Sequence, residues 1–421
     1  MRIKRITMSA NWFPPKGKSC LLKWSQVSLY LWENTSSGCH RNLNAPIPAN
    51  FDFHNTPIVM EHRTKMLNDQ WPADGRGCEH CRDQEKYSGM SDRVQFLKSD
   101  DNKRYVPKEL YTDPTAIHVK PTMLSIHFNN KCNLKCIYCG PNQSSSWVKE
   151  EWKYEQGKEY DIDPWELDAT YKERVVKFYE WMEENYQGLR AFDILGGEPF
   201  LQKETFDCID WCEAHPNPEV DFEIYSNMQV KPMLFRRGIE KVRALARTCN
   251  SVELTTSIDA WGREGEFIRN GHDLETFREN FEYVLSDCPE IIPGMNISVT
   301  SLSIPHIAKL QEQVIEWQNK YHRKINVNFN KVIDPYIYDP NILPKGTFTN
   351  NIKEILELNE TLYGNREYKH YAKSIFTEIE SSPPRPDAVK ELYKRLDELD
   401  GRRNTNWREV LPWLAKLENN S

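Results

Sequence analysis

Lys131-Cys132-Asn133-Leu134-Lys135-Cys136-Ile137-Tyr138-Cys139-Gly140 spaces three cysteines as C-x3-C-x2-C, directly after the alternating apolar run of residues 123–129. Three thiolates on one short loop cannot close a tetrahedral zinc site, but they can hold three irons of a [4Fe-4S] cube and leave the fourth iron open for chemistry. The spacing alone would also suit a fragment of a zinc site. About 60 residues on, Leu195-Gly196-Gly197-Glu198-Pro199-Phe200 ends another apolar run. Only glycine lets a backbone turn sharply and approach a ligand closely, so Gly196 and Gly197 mark a strand-end turn that presents Glu198.

Outward from these motifs, residues from Pro121 alternate strand-like and helix-like patterns, the signature of parallel βα units and an α/β fold. Apolar runs predict strands over 123–129, 189–195, 220–226, 251–258, 295–302 and 325–330. Tyr171, Val175, Phe178 and Met182 fall on one helical face, with Gly188 beyond the end as a stop, and helices are expected over 202–214, 233–247, 273–287 and 306–319. After the proline-bearing loop from Asp339-Pro340 to Pro344 the chain turns helical. Ile352, Ile355, Leu358 and Leu362 suit one helix, and Val389, Leu392, Leu396 and Leu399 another, parted by Pro383-Pro384-Arg385-Pro386.

Upstream, residues 1–95 are rich in Trp, Pro and Asn and read mostly as loops, with a short strand at Leu29-Tyr30-Leu31-Trp32. A helix is expected to start at Asn55-Thr56-Pro57, carry Ile58, His62 and Met66, and stop before Trp71-Pro72. Cys78-Glu79-His80-Cys81 is a C-x2-C pair, a spacing that points two thiolates at one ion, and Cys20 and Cys39 are the other cysteines of the segment. A site built from Cys20, Cys39, Cys78 and Cys81 suits a structural zinc or a second Fe-S cluster, with His40 and His80 beside the ligands. Cys208 and Cys212 stand at i and i+4 and read first as small buried apolar residues.

The totals set limits. The 421 residues suffice for two or three domains. A net charge of −7 and 28% charged residues argue against general nucleic-acid binding. No run approaches the ~18 apolar residues of a membrane span. Met1-Arg2-Ile3-Lys4-Arg5-Ile6 has early positive charges without an apolar region after them, so a secretory signal is not expected and the cytoplasm is the default.

The cysteine triplet and the Gly-Gly-Glu turn, in this order, resemble the radical S-adenosylmethionine (radical SAM) superfamily. The order Cys20, Cys39-His40-Arg41, Arg63, Met66-Leu67, Cys78-x2-Cys81, Glu85, Gly89 and Ser91-x-Arg93 resembles members with an N-terminal twitch domain, a short relative of the SPASM auxiliary-cluster domain. The resemblance spans about residues 15–305. It implies a twitch-like domain over 1–110, a partial (β/α)6 barrel over 118–335 and, beyond the family pattern, a helical extension over 340–421.

It further implies that Cys132, Cys136 and Cys139 hold a [4Fe-4S] cluster whose open iron chelates SAM, and that Gly196, Gly197 and Glu198 meet the SAM amino group. Tyr138 would lie beside the adenine, with packing over the cluster as the alternative. Ser226, Asn227, Ser257 and Asp259, at the third and fourth strand ends, would be SAM contacts, with helix capping as the alternative. Family members often carry an asparagine near position 304, where this chain has Ile304. On family grounds the four N-terminal cysteines favour an auxiliary [4Fe-4S] cluster over zinc. The implied partners are a small-molecule or peptide substrate and an electron donor such as flavodoxin or ferredoxin.

Alternate residues of the predicted strands are polar: Ser125, His127 and Asn129; Glu223, Tyr225 and Asn227; Glu253, Thr255, Ser257 and Asp259; Asn296, Ser298 and Thr300; Asn326, Asn328 and Asn330. With helices covering the apolar faces, these would turn inward and line a wet cavity for a polar substrate such as a nucleotide, a sugar or a peptide side chain, unless they only satisfy one another. No acid or base is assigned among Glu223, Glu253, Asp259, Lys331 and Asp334. The rival function is a non-catalytic Fe-S or zinc scaffold.

Overall fold

The computed structural model describes residues 17–73, 75, 77–98, 100–157, 168–363 and 368–419. Met1-Arg2-Ile3-Lys4-Arg5-Ile6 lies outside them. The chain divides into two compact units, Met1–His127 with Thr170–Asp193, and Phe128–Ala169 with Ile194–Ser421.

The first unit holds β1 (Gln26–Tyr30), β2 (Thr35–Ser37), β3 (Ala45–Pro46) and β4 (Met123–His127). β2 pairs antiparallel with β1 and with β3. β1 pairs in parallel with β4, in the register Gln26↔Met123 to Tyr30↔His127. The segment expected to be mostly loops thus supplies a strand neighbour for β4, a pairing with no local signature. A fifth strand, β5 (Ala191–Leu195), carries the chain from the first unit into the second.

Of the helices longer than ten residues, α1 (Pro57–Leu67) begins as expected, with Pro57 at its first position behind an extended Thr56. Arg63 on α1 is fully buried and donates to the carbonyls of Lys23 (2.8 Å) and Ile117 (2.6 Å) and to the Asn55 amide oxygen (2.7 Å). It ties together a nucleus otherwise short of regular structure. Cys78-x2-Cys81 is not an isolated knuckle: it forms the first turn of α2 (Cys78–Ser88), where i,i+3 spacing sets both thiols on one face.

In the second unit β6 (Asn217–Ser226), β7 (Cys249–Ser257), β8 (Ile292–Val299) and β9 (Asn326–Lys331) form a parallel sheet, with Glu223 beside Glu253, Ser257 beside Asn296, and Asn296 beside Asn328. A helix that the sequence reading did not expect, α3 (Ser145–Gln156), follows the cysteine loop, and the others follow the expected periodicity: α4 (Tyr171–Asn185, in the first unit), α5 (Lys203–Ala214), α6 (Pro232–Leu245), α7 (Leu274–Asp287) and α8 (Ile304–Tyr321). Three more, α9 (Thr349–Tyr363), α10 (Tyr368–Ser381) and α11 (Asp387–Arg403), make up the helical C-terminal part. Leu392, Leu396 and Leu399 are buried on α11, and Cys208 and Cys212 on α5.

The strand faces sort as alternation requires. Phe329 of β9 packs edge-on against Phe376 of α10, so Asn326, Asn328 and Asn330 point away from that helix. On their face Asn326 donates to Glu253 (2.8 Å), Thr255 to Glu223 (2.6 Å), and Asn330 to Asn296. The polar residues therefore satisfy one another in part. Burial raises both Glu223 and Glu253, the latter to about 7, with Glu223's charge adding to the effect at Glu253. A charged residue also stands on the helix-facing side. Lys331 is buried and bonded to Glu378 (2.9 Å) and Asn341 (2.6 Å), and Arg385 pairs with the neighbouring Asp339. The network fastens β9 to the helical C-terminal part.

Candidate functional site

The two motifs of the second unit meet because of one backbone approach. Gly197 has φ +53, and a Cβ there would stand 2.3 Å from the Lys131 carbonyl oxygen. The Glu198 N–H donates to that same carbonyl (2.7 Å). No other residue fits, so the turn after β5 rests on the start of the cysteine loop.

Glu198 is fully buried. Its carboxylate accepts from the Phe200 N–H (3.1 Å), the Ser226 hydroxyl (2.9 Å) and the Asn227 N–H (2.6 Å), joining the β5 turn to the end of β6. Burial lifts it to about 7 against these donors and Arg269. A carboxylate has about four acceptor positions, so one is left for a further donor. The Asn227 amide donates to Asn133 (2.9 Å) and lies 3.8 Å from Cys132 Sγ. Ser257 stands half-buried at the end of β7.

Tyr138 and Asp259 are also brought together. The Tyr138 hydroxyl donates to Asp259 (2.7 Å) and accepts from Arg269 (2.6 Å); Arg269 lies 3.4 Å from Asp259, which also accepts the Ser298 N–H (3.1 Å). Asp259 is wholly buried and engaged by protein donors, so it holds other side chains in place. The sequence reading missed Arg269. The Ile268 and Asn270 carbonyls accept from the Ile137 and Lys135 N–H groups, both at 2.8 Å, which lays this arginine along the cysteine loop. A lone arginine in Ile268-Arg269-Asn270-Gly271 is the only local signal.

All eleven cysteines are free of disulfides. Burial, then the neighbouring thiols, raise Cys132 to about 12 and push Cys139 up as well, while Arg269 opposes both. Three thiols, Cys136 buried and Cys132 and Cys139 half-buried, beside the buried Arg269 cation suit a group that takes them as thiolates and supplies positive charge. The loop is held firmly. Ser144 donates to the Leu134 carbonyl (2.7 Å), Ser146 to the Cys132 carbonyl (2.6 Å), and the Trp147 indole to the Cys136 carbonyl (2.9 Å).

The helical C-terminal part reaches the same loop. Arg403 at the end of α11 bonds Glu150 through Nη2 (3.0 Å) and Nε (3.2 Å), Lys135 bonds Glu150 from the loop (2.5 Å), and the Arg403 guanidinium lies 4.6 Å from the Trp147 ring centre. Arg403 and Glu150 side chains are only 4% and 9% exposed. Arg403→Met is expected to cost about 1.5–3 kcal/mol, the range for hydrogen bonds to charged groups, and Arg403→Lys to recover part of it. Chemical denaturation measures the loss.

In the first unit, Gly77 has φ +91, and a Cβ there would overlap the Arg41 carbonyl at 1.8 Å. This close packing sets the start of α2, with Cys78, against the Cys39-His40-Arg41 segment. Cys20 is acted on by the charges of Cys39, Cys81 and Cys78, so the four predicted cysteines share one neighbourhood. Burial raises Cys20 and Cys81, whereas at Cys39 burial is outweighed by the His40 imidazole together with Lys23 and the Arg41 N–H, which bring the thiol down to about 6. Asp92 joins His40 (3.2 Å) to Arg41 (2.9 Å), and Arg93 pairs with Glu85 (2.6 Å). Among the described residues no three His, Cys, Asp or Glu side chains converge closely enough to hold a single metal ion. No helix among them is long and apolar enough to cross a membrane.

No protein-family model and no curated protein matches the chain. Solved structures similar to it include Streptococcus suis SuiB bound to its precursor peptide SuiA, at 13% identity over 75% of this chain and 53% of that one, with a TM-score of 0.36. SuiB bound to S-adenosylmethionine gives 15% identity, 77% and 65% coverage and a TM-score of 0.38. TYW1 with a lysine-pyruvate adduct gives 14% identity, 56% and 70% coverage and a TM-score of 0.30. The chain thus spans less than two thirds of the SuiB chains. Likenesses this distant leave the function to be argued from this chain's own residues.

Proposed function

We propose that the chain is a radical SAM enzyme acting on a polar small molecule or peptide side chain. Cys132, Cys136 and Cys139 would hold a [4Fe-4S] cluster, and Cys20, Cys39, Cys78 and Cys81 an auxiliary one. The observation that carries the reading is the seating of the Gly196-Gly197-Glu198 turn on the cysteine loop, with the buried Arg269 cation beside the same loop. When bound and reduced, a [4Fe-4S] cluster on Cys132, Cys136 and Cys139 would supply one electron for cleavage of the SAM sulfonium, the chemistry that lets hydrogen be taken from an unreactive C–H bond.

The chain's residues bind, orient and exclude. The remaining acceptor position of Glu198 suits the SAM ammonium, and Arg269 suits its carboxylate, since a buried guanidinium favours an anion. Asp259 and Tyr138 fix the Arg269 guanidinium and would keep it from turning onto the thiolates. Ser226 and Asn227, both bonded to Glu198, and Ser257 at the end of β7 would be further SAM contacts. The polar face of β6–β9, with Glu223 and Glu253 raised by burial, supports a hydrophilic substrate.

Anaerobically reconstituted protein given SAM and dithionite is expected to form 5'-deoxyadenosine. Iron-loaded protein that forms no more than a control without dithionite would leave a non-catalytic Fe-S or zinc scaffold as the reading.

A further inference from the structure

The turn Leu22–Ser25, just after Cys20, contains a lysine where the surroundings are apolar: Cys20, Leu21, Leu22, Trp24, Met66 and Cys78 form one buried cluster. Lys23 is 2% exposed, and its ammonium has no hydrogen-bond partner among the described residues. Burying an unpaired ammonium costs several kcal/mol, so such a group is expected to meet an anion. The other cations beside these cysteines are already paired: Arg41 with Asp92 (2.9 Å) and Arg93 with Glu85 (2.6 Å). The positive charge of Lys23 reaches Cys20, Cys39 and Cys78 and favours the thiolate at each.

We infer that Lys23 is the built-in counter-charge of the N-terminal cluster and raises its reduction potential. The inference rests on the auxiliary-cluster reading given above. Four thiolates around a [4Fe-4S] core carry net negative charge, and reduction adds one more. A fixed ammonium in a low-dielectric nest stabilises the more negative form, and so favours taking up an electron. Lys23 is not a ligand: it positions charge.

The test is an anaerobic redox titration of the full chain followed by electron paramagnetic resonance, the N-terminal signal being the one that Cys78→Ala removes. Lys23→Met is expected to keep the wild-type iron content and shift the N-terminal midpoint negative while the other cluster's midpoint stays put, and Lys23→Arg to restore it. An unchanged N-terminal midpoint in Lys23→Met overturns the inference. Should Lys23→Met lose its N-terminal iron, Lys23→Gln, which keeps a polar contact without the charge, must still titrate lower than wild type, and a wild-type midpoint there overturns it equally. A wild type with about four irons plus zinc and a single titrating signal would instead overturn the auxiliary-cluster reading itself.

Discussion

Cys136→Ala is expected to abolish 5'-deoxyadenosine formation and to lower the iron content of the reconstituted protein from about eight to about four per chain. The position has no substitute nearby. Cys136 is the middle ligand of the proposed triplet, its carbonyl is held by the Trp147 indole, and the remaining two thiols cannot hold a cube that needs three. Cys78→Ala is expected to lose the same amount of iron from the other site while still cleaving SAM, because its thiol belongs to the first unit. Iron analysis and chromatography of the nucleoside products read both outcomes. Equal loss of SAM cleavage in the two variants would show that the sites do not act separately, and unchanged iron in Cys136→Ala would remove the triplet from the proposal.

Arg269→Met is expected to combine two losses. It leaves Asp259 buried as an uncompensated charge, a change that costs about 3–5 kcal/mol of stability. It also removes the cation offered to the SAM carboxylate, worth about 2 kcal/mol or more, or ~30-fold in affinity. The double variant Arg269→Met/Asp259→Asn separates the two. With the stranded charge gone, stability in chemical denaturation should largely return, whereas SAM affinity measured by equilibrium dialysis should stay low. Recovery of SAM binding in the double variant would make Arg269 purely structural.

Much of this site was legible in the residues. The cysteine spacing, the glycine pair before Glu198 and the strand–helix alternation are local features, fixed by what thiolates bind, by where only glycine turns and by which periodicity suits which backbone. The expected strands and helices of the second unit form at those places with small shifts in their ends. The polar strand residues also turn from the helices as alternation requires, though their bonding to one another was only one of two outcomes the pattern allowed.

What the sequence by itself determined, then, is the chemistry on offer: two groups of cysteines, a turn able to present Glu198, and a parallel α/β framework. The tertiary structure decided which charges stand beside those thiols. Arg269, Lys23 and Arg403 carry no spacing that marks them, and the Arg403–Glu150 bond joins residues 253 positions apart. The physical reason is that the effect of a charge depends on how far it is buried and on what faces it, and both come from distant parts of the chain packing together.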